Sequence, residues 1–135
     1  MNREHEQLVI DFYDARRRND QSAIRSFLAD DVLWHEPKVS DATGDLQGAG
    51  AVLRMMSQAR ALTGGTFSLA AEGVLANESH AVALINWSAK KGERHLEGSE
   101  FAVFRIEGMK IEEVWFYQQD LRTDKAFWTD DETPA

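Results

Sequence analysis

Residues 81–119 read AVALINWSAKKGERHLEGSEFAVFRIEGMKIEEVWFYQQ. Apolar and polar side chains alternate through this stretch with a period of two, as half-buried strands require. Two glycine-containing pairs, Lys91-Gly92 and Glu107-Gly108, interrupt it at turn positions. Three strands are therefore expected, Ala81 to Ala89, Arg94 to Ile106 and Lys110 to Gln119. A fourth, Thr66 to Leu75, precedes them across an Asn77-Glu78 turn. Short turns between consecutive strands specify an antiparallel meander. Strands this long twist, and one face of the sheet must be covered.

The cover lies upstream. Leu8, Val9, Phe12 and Ala15 recur at helical spacing from about Arg3 to Arg18, with Tyr13 at the edge of the stripe. Arg16, Arg17 and Arg18 close this helix, where cations suit the negative end of the macrodipole, so they are read as a solvated helix end. Asn19-Asp20 breaks the helix, and Asp20 is placed to cap a short second one carrying Ile24, Phe27 and Leu28. Val32 to Glu36 reads as a strand stopped by Pro37. Lys38 to Gln47 reads as a loop with turn residues Asp41, Gly44 and Asp45. A third helix is expected from Ala49 to Leu62, with Val52, Leu53, Met56 and Ala59 inward and Gly64-Gly65 as its stop. The expected fold class is α+β: a cone-shaped, curved, antiparallel (mixed) sheet with three N-terminal helices packed on its concave face and a pocket between the layers. Residues 1–128 make one domain, and the acidic residues 129–135 a flexible tail.

Composition narrows the function. The chain has 135 residues, 43% of them hydrophobic, enough for one well-formed core. No apolar run approaches the ~18 residues a membrane span needs, and Met1 to Gln7 carries no apolar leader segment. There is no cysteine, which excludes disulfides, thiolate zinc sites and a thiol nucleophile, and fits a reducing cytoplasm. With 23 acidic against 15 basic residues, the net charge of −8 disfavours nucleic acid and anionic membranes as partners. The four histidines are not paired at metal-ligand spacing, so no metal is expected. Gly48-Ala49-Gly50 lacks the rest of any nucleotide-binding signature, and Gly98-Ser99 makes no nucleophile elbow. No cofactor is expected.

Several stretches carry a family resemblance. They are Phe12-Tyr13 through Asn19-Asp20, Phe27-Leu28-Ala29-Asp30-Asp31-Val32, Trp34-His35-Glu36-Pro37 and Gly44-Asp45-Leu46-Gln47-Gly48. Gly64-Gly65-Thr66-Phe67 and the pair Phe104 to Gly108 with Lys110 to Trp115 complete the set. Together they resemble the nuclear transport factor 2-like superfamily, and within it the SnoaL-like and ketosteroid isomerase-like group, over nearly the whole chain. The resemblance implies the cone fold, with functions ranging from isomerases, cyclases, dehydratases and hydrolases to plain binding domains. It places a general base on Glu36, the carboxylate directly before Pro37. Ketosteroid isomerases add an oxyanion hole from a helix Tyr and a protonated strand Asp. Those positions fall here on Phe12, with Tyr13 one step round, and near Ala102. SnoaL-like cyclases carry a catalytic Asp just after the Trp matched by Trp115. Here that position is Phe116, and the next carboxylate along is Asp120.

Strand parity supplies the other candidates. Gly98, Glu100, Ala102 and Phe104 share one side of their strand, and Val114, Phe116, Gln118 and Asp120 one side of the next. If these sides face the pocket, Glu100 and Asp120 join Glu36 there, with His35 as a further acid or base. A carboxylate in such surroundings has a raised pKa. The plainer readings are a strand end for Glu36, an ion pair for Glu100, a cap on the C-terminal segment for Asp120 and a structural role for His35. His5, His80 and His95 are read as surface residues. Phe12, Tyr13, Trp34, Met56, Trp87, Phe104, Phe116 and Gln118 are the expected substrate-binding residues. Trp115 and Tyr117 belong either to an aromatic pocket wall or, with Phe101 and Val103, to the outer face of the sheet. An apolar outer face is expected to pair two copies of the chain. The expected function is acid–base catalysis on a small, apolar or cyclic molecule, without a cofactor. The alternatives are a binding protein with the same pocket, or a dimeric interaction module whose own aromatics fill it.

Overall fold

The computed structural model describes residues 1–38 and 44–128. The elements run α1 (Arg3–Arg18), α2 (Gln21–Phe27), β1 (Leu28–His35), β2 (Asp45–Gln47), α3 (Ala49–Leu62), β3 (Ser68–Ala76), β4 (His80–Lys91), β5 (Arg94–Glu107), β6 (Lys110–Gln118) and α4 (Leu121–Trp128).

Local chemistry accounts for the helix ends. Asn2 caps α1, its side chain accepting from the His5 amide at 3.0 Å, and Glu4 and Glu6 occupy the first turn. Asn19, in the left-handed region at φ 54°, ends the helix. Asp20 then accepts from the Ala23 amide at 3.1 Å to start α2. The sheet order is β2-β1-β6-β5-β4-β3. β3 to β6 form the expected meander, and β1 lies parallel to β6, so the sheet is mixed. Three residues expected in a loop, Asp45–Gln47, instead pair with β1 as an edge strand. The rest of that loop includes residues 39–43, which lie outside the described residues, as does the 129–135 tail.

α1 packs over β3 and β4, and α3 over β1 and β2. Ala83 and Ala102, paired in register and fully buried, leave room on the concave face for the rings of α1. Trp34 and Phe12 are the largest of the fully buried side chains. Leaving such a helix face uncovered would forfeit roughly 2 kcal/mol for each large apolar side chain. Among the described residues no helix is long and apolar enough to cross a membrane.

The expected helix count needs correction. A fourth helix, α4, follows the last strand. The Asp120 carboxylate starts it, accepting from the Thr123 amide at 3.1 Å and from the Thr123 hydroxyl at 2.8 Å. Its Phe127 and Trp128 pack on Trp87, with ring centroids 6.4 and 5.9 Å away. Trp87 in turn lies across Gly98, its partner in the β4–β5 register. A Cβ at Gly98 would stand 2.6 Å from the indole Nε1. Gly98→Ala should therefore cost about 1–3 kcal/mol of stability through overpacking. Urea unfolding followed by tryptophan fluorescence measures this, and an unchanged midpoint would contradict it.

Candidate functional site

A cavity opens between the concave face and the helices. Its volume is about 70 Å³, and it opens to solvent on one side. Its wall is aromatic, with Trp34 from β1, Trp87 from β4, Phe116 from β6, Phe67 and Trp128. Four ionisable groups stand in this wall: Arg16, Glu36, Glu100 and Asp124.

Glu36 follows β1 immediately. It keeps the parity of Trp34, so both point inward. The Trp34 indole donates to Glu36 Oε1 at 3.0 Å. Burial pushes the Glu36 carboxyl up from 4.5 to about 7, and the nearby Glu100 carboxylate pushes the same way. The indole hydrogen bond and Arg16 oppose the rise without cancelling it. Glu100, 8% exposed, pairs with Gln118 across β5 and β6 and accepts from its Nε2 at 2.6 Å. Burial raises its pKa as well, with Asp124 adding to the rise, while Arg16 and Gln118 oppose it. Asp124, on the inward side of α4 and 4% exposed, is raised by burial and by Asp120 from 3.8 to about 6.

Arg16 is the counterweight. It lies on the apolar stripe of α1, one turn beyond Phe12. Its guanidinium stands 5.9, 5.7 and 5.9 Å from the ring centroids of Phe12, Tyr13 and Trp34. The cavity thus combines a fixed cation with three carboxyl groups whose pKa values burial raises, that of Glu36 to about 7 and that of Asp124 to about 6. Among the described residues no group of three His, Asp or Glu side chains is arranged to hold a metal ion.

The structure sorts the sequence candidates by strand alternation. Glu36, Glu100, Trp34, Trp87, Phe116 and Gln118 line the cavity. Asp120 does not, because its carboxylate starts α4 at the surface. His35 lies between two inward residues and so points to the opposite face. There its Nε2 meets Glu113 Oε2 at 2.7 Å, its Nδ1 lies 3.4 Å from Asp45 Oδ1, and its ring stacks on Trp115. Phe12, Tyr13 and Phe104 stand behind the cavity in an edge-to-face cluster with centroids 5.3 to 6.1 Å apart. Met56 is half-buried against the core, and its neighbour Met55 takes the lining position. Phe101 and Tyr117 are 54% and 58% exposed, which puts them on the outer face.

Arg16, Asp124 and Trp128 were not among the sequence candidates. For Arg16 a signal existed: of the three consecutive arginines, it alone continues the Phe12 stripe at i+4. For α4 the signal was Asp120, a capping residue, followed by Asp124, Phe127 and Trp128 at helical spacing.

Comparison with known proteins fits this geometry. Residues 9–114 match the SnoaL-like domain family, and the chain belongs to that family. No curated protein sequence matches it. Three solved structures share the fold. Bal32a, from a soil-derived mobile gene cassette, is 22% identical over 93% of this chain and 97% of its own, with a TM-score of 0.88. A Xanthomonas campestris protein of unknown function is 25% identical over 96% and 99%, with a TM-score of 0.85. An epoxide hydrolase of the LEH-like type from M. tuberculosis is 15% identical over 90% and 88%, with a TM-score of 0.71.

Proposed function

We propose that this chain is a cofactor-independent acid–base enzyme in which Glu36 moves a proton on a small, largely apolar cyclic molecule. One observation carries the reading: a carboxyl group with a pKa of about 7 stands in the wall of an open, aromatic cavity. In its ionised form Glu36 takes a proton from carbon. The electron pair left behind moves onto a substrate oxygen, and Arg16 supplies the positive charge that steadies it. Protonated Glu36 then returns the proton at a second position. Isomerisation and aldol-type cyclisation both follow from this exchange. Dehydration and epoxide opening need the same carboxyl group as an acid.

The test uses cyclic ketones in deuterated water, with exchange of the carbon-bound α-hydrogens followed by NMR. The protein should accelerate exchange, with a rate that rises with pH and levels off above about 7. Exchange no faster than in buffer across the ketone panel would overturn the reading.

We further propose that two copies pair through the outer sheet face. Leu84, Phe101 and Tyr117 lie side by side across β4, β5 and β6, and all three are exposed. An exposed apolar row of this kind can meet its own copy about a two-fold axis. Sedimentation at micromolar concentration should give twice the chain mass, and a single-chain mass would contradict the pairing.

A further inference from the structure

Three carboxyl groups line the cavity, and two of them have partners. Glu36 accepts from the Trp34 indole and Glu100 from the Gln118 amide, and the Arg16 charge acts on both. Asp124 differs. It is 4% exposed and lines the same cavity from α4, yet among the described residues its carboxyl group accepts no hydrogen bond and forms no ion pair. Its oxygens are not walled off: among the described residues, the unpartnered side-chain polar atoms sealed by the protein are the Tyr13 hydroxyl and Gln118 Oε1. The charges that face Asp124 are acidic, Asp120 one turn back and Glu100 from β5. Arg16 from α1 and Glu36 after β1 complete the charged groups of the wall, but the pull of Arg16 is felt at Glu36 and Glu100 rather than at Asp124. A buried carboxyl group with neither donor nor cation is held at a cost. Beside it the wall is aromatic. Trp128 lies one turn beyond Asp124 on α4, and its ring centroid is 5.5 Å from that of Phe67 and 5.9 Å from that of Trp87. Aromatic rings next to a carboxylate suit an organic cation.

We infer that Asp124 anchors a protonated amine, so that the molecule taken by this cavity is a ring carrying an ammonium group. The inference rests on the cavity being a ligand site, as proposed above, and it adds the substrate class: a cyclic amine in its charged form. An ammonium group brings both donors and positive charge to the carboxylate that lacks them. It also orients the ring, with the amine at α4 and the remainder toward Glu36 and Arg16. Asp124 acts as a specificity residue and leaves the proton transfer to Glu36.

Cyclopentylamine and cyclopentanol share a ring and differ in the charged group. Their binding to the full chain is read at pH 7.5 from the indole N–H signals of ¹⁵N-labelled protein. Cyclopentylamine should bind the natural protein about tenfold more tightly than cyclopentanol, and Asp124→Asn should remove that preference while cyclopentanol binding stays within about twofold. At pH 5 Asp124 holds its proton while the amine keeps its charge, so the preference should shrink in the natural protein too, a result that does not depend on the variant folding. Equal binding of the two probes at pH 7.5, or tighter binding of cyclopentanol, would overturn the ammonium anchor and leave the cavity as a ligand site. A preference for the amine that survives at pH 5, or in Asp124→Asn, would place its charge elsewhere and overturn the anchor as well. Binding of neither probe would overturn both the anchor and the ligand cavity.

Discussion

Glu36→Gln should lower proton-exchange activity about 10²- to 10⁴-fold, the usual worth of a positioned acid–base group. The same change should make the protein more stable at pH 8. Glutamine keeps the size of the side chain and an oxygen for the Trp34 indole, and it removes a charge that burial disfavours. The sign follows from linkage. In the folded chain Glu36 holds its proton up to about 7, whereas in the unfolded chain it loses it near 4.5. Between those values the native state binds more protons, so stability falls as pH rises and stays lower above about 7. Asp124 acts in the same direction between 3.8 and about 6. The gain for Glu36→Gln at pH 8 should be about 2 to 3 kcal/mol and should vanish near pH 4. Urea unfolding at the two pH values measures it. A variant that is inactive but less stable at pH 8 would mean the ionised carboxylate is a structural partner, against the present account.

Phe12→Ala should cost about 3–5 kcal/mol. The ring is wholly buried and contacts Tyr13, Trp34 and Phe104 at centroid distances of 5.3, 6.3 and 6.1 Å. Truncation leaves a hole at the meeting point of α1, β1 and β5, and a loss of that size is a large part of the ~5–15 kcal/mol that holds a domain folded. The sequence reading placed Phe12 among substrate-binding residues, whereas the structure puts it behind the cavity wall. Phe12→Leu separates the roles: α-hydrogen exchange on the cyclic ketones should stay within about twofold while stability drops by about 1–2 kcal/mol. A Phe12→Ala variant that unfolds within about 1 kcal/mol of the natural protein would contradict the core assignment.

Period-two alternation in residues 81–119 made the meander legible, because a strand with one wet face must alternate. Parity also brought Glu100, Phe116 and Gln118 to one side of the sheet. It held because the shift in the β5–β6 register falls between Arg105 and Ile106, outside the stretch that pairs Glu100 with Gln118. The same rule, applied to Trp34 and Glu36, sends His35 to the other face, and here the sequence reading departed from it. Arg16 was hidden for a different reason. Three successive arginines at a helix end look alike in sequence, and only the angle around α1 separates the one that enters the cavity. Asp124 and Trp128 depend on a helix of eight residues, a length whose stability comes from packing on Trp87 more than from its own propensity. Outer-face residues such as Tyr117 and inner ones such as Phe116 are equally aromatic, so composition alone left the direction of that wall open.

The proposed chemistry turns on the ionisation of Glu36. The most direct measurement is an NMR titration of its side-chain carboxyl carbon in ¹³C-labelled protein, assigned by its loss in Glu36→Gln. The midpoint should lie near 7 and shift upward again when Trp34→Phe removes the indole donor. A midpoint near 4.5 would mean a solvated carboxylate and would contradict Glu36 as the acid–base group of this cavity.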